Sequence, residues 1–204
     1  MMRQMSMIGV LLLALAACSA TAPVPEDRFY QLDNAPGAAA LQAPALRGGL
    51  RVAPVTADPL RSGRAVLYRD ARKPLELQRY HYQYWVDQPP RMIEQALLNY
   101  LRTIAAADPV QDNSRRAAVA YRLQTRLLRF EQVLGEGAPR VELELEATLY
   151  PEPSGAALWT ATYLRRVDST GNDMHATAQA MQLALAQVFQ ALRADLVATG
   201  KGQE

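Results

Sequence analysis

Residues 141–149 read VELELEATL. The alternation is strict. Val141, Leu143, Leu145, Ala147 and Leu149 fall on one side, and Glu142, Glu144, Glu146 and Thr148 on the other. Successive side chains of a strand point to opposite faces, so the stretch predicts a strand with one dry and one wet face. A strand buried on both faces of a parallel sheet would read as a near-continuous apolar run. This pattern belongs to an antiparallel sheet.

The neighbouring segments extend that sheet. Upstream, Val119, Tyr121, Leu123 and Leu127 alternate with Arg122, Gln124 and Arg126. The phase then slips by one at Leu128 and Phe130, which predicts a bulge or twist. Gly135-Glu136-Gly137 supplies the turn between the two strands. Downstream, 151–155 turns the chain and 157–166 returns, with Trp159, Ala161 and Tyr163 on one face. The result is a three-stranded meander with an apolar face to cover.

Two amphipathic helices can cover it. Pro89-Pro90 suits a helix start, where the missing amide proton costs nothing. After it Met92, Ile93, Ala96, Leu97, Tyr100, Leu101 and Ile104 mark one helical face. A second helix carries Met174, Ala178, Met181, Leu185, Val188, Leu192 and Leu196 at steps of three or four. Thr170 and Asn172 are its candidate caps, and Gly200 lies just beyond its expected end. Earlier strands are expected at 29–32, 50–55, 65–69 and within 75–85, with a loop at 34–49. The expected fold is α+β: a mainly antiparallel sheet with both amphipathic helices packed on one face.

The chain's address is written at its start. MMRQMSM carries one positive charge, Arg3, before an apolar run at 8–15 and the small residues Ala16 and Ala17. That order is a secretory signal, and the run is too short to span a membrane. Leu15-Ala16-Ala17-Cys18 resembles the bacterial lipobox, and Cys18 is the chain's single cysteine. An exported chain with one cysteine cannot form an internal disulfide, and lipidation explains the leftover thiol. Ser19 replaces the Asp that retains lipoproteins in the inner membrane of enteric-type bacteria. The expected location is the outer membrane, lipid-anchored, facing the periplasm. The expected organisation is a lipoprotein signal peptide at 1–17, the lipidated Cys and a short tether at 18–28, one periplasmic α+β domain at 29–200 and a tail at 201–204.

Composition and motifs exclude most chemistry. A net charge of +2 gives no electrostatic reason to expect nucleic acid. The two histidines, His81 and His175, stand in unrelated contexts without a metal-spaced partner. No nucleophile elbow or phosphate loop appears. The row Glu142, Glu144, Glu146 spaces its carboxylates about 7 Å apart, wide for a shared cation. Cross-strand pairing with Arg122 and Arg126 accounts for it. No catalytic residue, metal site or cofactor is expected.

One cluster stands out. Residues 79–92, RYHYQYWVDQPPRM, hold Tyr80, Tyr82, Tyr84 and Trp85 within six positions. With period two, the three tyrosines share one strand face, and His81, Gln83 and Trp85 share the other. One face packs into the core beneath the helix that starts at Pro90. The other presents large amphipathic residues, which are favoured interface anchors. Tyr80, Tyr82, Tyr84 and Trp85 are the candidate interface residues.

Tyr82, Tyr84, Trp85, Pro89, Pro90 and Met92, running into an amphipathic helix, resemble the ABC-type transport auxiliary lipoprotein family. FYQLD at 29–33, LRVAPV at 50–55, LLRFEQV at 127–133 and the Ala-rich closing helix resemble it in the same order. The family usually has Arg before the Trp, where this chain has Tyr84. The resemblance implies a non-enzymatic part of an envelope lipid-transport system that docks an MCE-domain tunnel protein at the outer membrane. It also implies a homo-oligomeric ring. The alternatives are a lipoprotein regulator of a peptidoglycan synthase, an envelope hydrolase and a periplasmic lipid carrier. A synthase regulator usually needs a long disordered tether, and only about nine residues separate Cys18 from the first strand here.

Overall fold

The structure is a computed structural model, and it describes residues 25–33, 39–114, 117–153 and 155–202. The expected signal peptide, Cys18 and most of the tether lie outside these residues. The described chain runs β1 (Arg28–Tyr30), β2 (Leu50–Val52), β3 (Thr56–Ala57), β4 (Ala65–Asp70), β5 (Gln78–Trp85), α1 (Pro89–Thr103), β6 (Val110–Gln111), β7 (Tyr121–Leu134), β8 (Arg140–Pro151), β9 (Trp159–Asp168) and α2 (Met174–Lys201).

The sheet is mixed and mostly antiparallel, and β7 is its spine. One edge of β7 carries β8, antiparallel from Tyr121↔Pro151 to Val133↔Arg140, and β8 carries β9 the same way. This is the meander that the alternation predicts. The expected slip is there too: the β7–β8 register shifts between Leu127 and Arg129. The other edge of β7 takes β2, β3 and β4 in succession, all parallel. Beyond β4 lie β5, antiparallel, and then β1, parallel to β5. β6 pairs in parallel with β2. Apart from the eight-residue β5, these added strands are short, and they find their places through a partner strand rather than through their own periodicity.

Both helices feed one core. Ile93, Leu97 and Leu101 of α1 join Met181, Leu185 and Leu192 of α2 in the cluster that holds Val141, Leu143 and Leu145. The rings of Tyr100 and Phe189 meet at 5.2 Å, so the helices also touch each other. Burying a side chain of this kind stabilises by about 1.5–3 kcal/mol. None of the helices among the described residues is long and apolar enough to cross a membrane.

The ends of α2 differ from expectation. Its N-cap is Asp173, extended at φ −89° and ψ 166°, and its carboxylate accepts from the Ala176 amide. Thr170 and Asn172 stand too early to reach that amide. At the other end the helix runs through Gly200 to Lys201 instead of stopping before the glycine. A Cβ on Gly200 would lie 1.7 Å from the Ala45 carbonyl oxygen. The glycine is there to let segment 41–47 cross the helix. That segment is tied from its other side: the Leu41 amide donates to the Ile104 carbonyl at 3.0 Å and the Leu46 amide to Ala106 at 2.9 Å.

Gly200→Ala therefore opposes two effects. Helix propensity favours Ala by about 1 kcal/mol. Overpacking costs typically about 1–3 kcal/mol, and here the obstacle is backbone held by its own hydrogen bonds. The expected net result is a lower urea midpoint. An unchanged or raised midpoint would show that segment 41–47 can move aside freely.

Candidate interface and polar face

The aromatic strand does not keep period two. β5 pairs with β4 at Tyr68↔Gln78 and Leu67↔Arg79, and next at Ala65↔Tyr84. Two steps along β4 thus face five along β5, and residues 80–83 bulge. At the bulge Tyr82 has φ +62°, the left-handed region that a bulky residue rarely adopts. The bulge inverts the parity of the strand. Tyr80 and Trp85, expected on opposite faces, both turn to the core.

Tyr80 is half-buried. Its hydroxyl donates to Gln132 Oε1 at 2.6 Å, and Gln132 in turn donates to the Thr177 hydroxyl of α2 at 2.6 Å. Its ring lies 4.4 Å from that of Tyr68. Burial, with Tyr68 adding to it, raises the Tyr80 phenol above its ordinary value. Trp85 is 1% exposed, with its ring 5.0 Å from Phe130 and 6.5 Å from Tyr30. It is a core residue, so it leaves the candidate interface.

Two of the four expected residues stay near the surface. Tyr82 is 39% exposed. Tyr84 is half-buried and stacks on Phe29 with ring centroids 5.9 Å apart. Phe29 itself is 53% exposed, and the Arg64 guanidinium covers its ring at 5.5 Å. Val86 extends the patch. Phe29 joins because β1 runs parallel to β5 with Phe29 opposite Tyr84. No local sequence signal reports that pairing. Arg64 is fixed from the other side by a hydrogen bond from its Nε to the Trp85 carbonyl at 3.0 Å.

The opposite face of the meander is polar, and two carboxylates of the predicted row, Glu142 and Glu144, are paired across strands, through other arginines than the expected Arg122 and Arg126. Glu142 meets Arg166 at 2.9 Å, Arg129 at 3.0 Å and Arg140 at 3.5 Å. Arg129 also reaches Glu144 at 2.8 Å. Arg126 stands opposite Glu146 in register, but the bulge after Leu127 brings Arg129 to the centre of the network. Arg122 turns to Glu152 at 3.0 Å and lies over the Tyr150 ring at 4.8 Å. Among the described residues no group of His, Cys, Asp or Glu is placed to hold a metal ion.

Burial alone would raise the Glu142 carboxyl, but Arg166, Arg129 and Arg140 outweigh it and hold it below its ordinary 4.5. A folded value below the unfolded one means that the carboxylate's contribution is present above about pH 4.5 and lost as pH falls through the folded value. Urea midpoints are expected to fall with acidification in that window. Glu142→Gln should lower the midpoint at neutral pH and flatten the acid slope. An unchanged slope would show that other carboxylates dominate the acid limb.

The sequence model of the ABC-type transport auxiliary lipoprotein component family matches residues 30–192. Among solved structures, protein XCC0632 from Xanthomonas campestris is 23% identical, with a TM-score of 0.76 over 86% of this chain and 98% of that one. The hypothetical protein CT253 from Chlamydia trachomatis is 9% identical, with a TM-score of 0.51 over 74% of this chain and 96% of that one. These likenesses show the fold. The comparison with curated proteins gave no match.

Proposed function

This chain belongs to the ABC-type transport auxiliary lipoprotein family, and from that premise we propose that it is a non-enzymatic, outer-membrane-anchored component of an MCE-type intermembrane lipid-transport system. In this reading Cys18 carries the acyl anchor, and several acyl chains there hold the protein firmly, each buried methylene adding about 0.8 kcal/mol. The folded domain docks the periplasmic tunnel protein at the outer membrane and assembles as a homo-oligomeric ring.

The observation that carries the reading is the family match, which runs from Tyr30 in β1 to Leu192 in α2 and so takes in nearly the whole domain. The exposed edge of Phe29, Tyr82, Tyr84 and Val86 supplies the surface. Aromatic side chains beside an arginine are favoured interface anchors. Tyr82 adds a second argument. A bulky residue held at positive φ costs on the order of 1–3 kcal/mol, and such strain collects at functional surfaces. The edge also begins at β1, the first strand after the tether, which keeps it near the anchored end of the chain.

The test is photocrosslinking from position 82 or 29 in the native envelope. Capture of an MCE-domain protein or of a second copy of this chain supports the reading. Capture of a peptidoglycan synthase, or no crosslink from either position, overturns it. Tyr82→Gly separates surface from fold. Glycine relieves the left-handed strain but adds chain entropy of about 0.5–1 kcal/mol. Its urea midpoint should therefore stay close to that of the parent, while partner capture through position 29 falls sharply. Unchanged capture would remove Tyr82 from the interface.

A further inference from the structure

A second surface lies far along the fold from the aromatic edge. Segment 39–47 and the last turns of α2 enclose an open cleft made of two adjoining hollows of about 450 and 610 Å³. The hollows share Leu41, Arg193, Val197 and Lys201. Ala194 and Ala198 continue the apolar floor. No acidic residue is among the described residues that line it. Arg193 and Lys201 enter none of the ion pairs among the described residues. Asp195 is the single acid of α2, and it is turned away to the sheet, where Oδ2 accepts from the Tyr163 hydroxyl at 2.5 Å. Among the described residues the cleft is thus an apolar trough with Arg193 and Lys201 along one side and no acid lining it.

We propose that this cleft binds an anionic phospholipid, with its phosphate between Arg193 and Lys201 and an acyl chain laid along Leu41, Ala194, Val197 and Ala198. The charge selects an anion. The apolar floor rejects a free phosphate, because water satisfies a small ion better than a greasy trough does. The floor's small side chains offer smooth apolar area and no separate pockets for alternate residues of a peptide. The end of a helix is the negative end of its dipole, so an anion there needs cations of its own. Lys201 in the last turn and Arg193 two turns back supply them.

The site is distinct from the aromatic edge, and its test needs no partner protein. Failure of the crosslinks above leaves it standing, and its own failure leaves the docking reading standing. The full chain, purified from the envelope in detergent, is irradiated with phosphatidylglycerol that carries a photoreactive acyl chain. Phosphatidylcholine with the same chain is the control. Labelled peptides are mapped by mass spectrometry. Labelling is expected on peptides from 39–47 and 190–201, with phosphatidylglycerol preferred. The double variant Arg193→Glu/Lys201→Glu should lose that labelling by about tenfold or more, since each basic residue near an anionic lipid contributes about 1 kcal/mol. Arg193 borders the buried Tyr100 hydroxyl, so its replacement can disturb the fold. Two further variants cover that case. Lys201→Glu alone lies on the exposed last turn, and Ala194→Trp fills the trough without changing charge; both should reduce labelling. Equal labelling by the two lipids, labelling elsewhere, or labelling unchanged in Lys201→Glu and Ala194→Trp overturns the proposal.

Discussion

Glu131→Ala is expected to lower the stability of the domain by about 3–5 kcal/mol, the usual cost of removing one partner from a buried ion pair. The Glu131 side chain is fully buried. Its Oε2 accepts from Arg61 at 2.9 Å, and its Oε1 accepts from Arg69 Nε at 2.9 Å and Nη2 at 2.7 Å. Arg61 also holds Asp58 at 2.8 Å, so the network joins the 58–64 turn, β4 and β7 at one point. Both guanidinium groups are themselves mostly buried, at 15% and 17% side-chain exposure. Without the carboxylate Arg69 loses its counter-charge, Arg61 keeps only Asp58, and the two guanidinium groups are left beside each other with little water. Glu131→Gln keeps the shape and loses the charge, and it should fall between the parent and the alanine variant. Urea unfolding followed by circular dichroism measures all three. A loss of less than about 1 kcal/mol, the range of exposed pairs, would mean that the two arginines swing out to solvent.

The same network shows where sequence reading runs out. The residues of LLRFEQV place Phe130 and Glu131 on β7, but Arg61 and Arg69 are 70 and 62 positions away, and nothing local pairs them with Glu131. The meander was legible because the alternation over the nine residues 141–149 is a local signal and register follows from which face is apolar. Even its flaw was legible, since a phase slip in the pattern is what a bulge does to a strand. The parallel strands on the other edge of β7 are two to six residues long, too short for periodicity to declare a partner. β5 failed for another reason. A left-handed residue is announced in a sequence by Gly or Asn, and here the position is held by Tyr82. Period two therefore ran straight through a bulge and put Tyr80 and Trp85 on the wrong sides of each other. Gly200 misled in the opposite sense. A glycine near a helix end reads as a stop, but this one serves a close crossing by a segment more than 150 residues earlier in the chain, which only the packed structure reveals.

Trp85→Ala distinguishes the two roles that the sequence left open for this residue. As a core residue it should cost about 3–5 kcal/mol, as large-to-small changes at a buried aromatic do. The indole fills the space against Phe130 and Tyr30, and its backbone is fixed on both sides by Arg64: the Trp85 amide donates to the Arg64 carbonyl at 2.7 Å, and Arg64 Nε donates to the Trp85 carbonyl. The neighbours therefore cannot close the cavity by a shift of the strand, which puts the loss toward the upper end of that range. The loss would also spread to the surface edge, because Arg64 is the group that covers Phe29. Trp85→Phe keeps most of the ring contact and should recover much of the stability. If Trp85 were an interface anchor, the order would reverse: Trp85→Ala would leave the urea midpoint in place and abolish partner capture, as Tyr82→Gly is expected to do. Running the two variants side by side makes each the control for the other. A destabilised Trp85→Ala beside a stable, capture-deficient Tyr82→Gly assigns the core to one residue of the cluster and the surface to its neighbour three positions away.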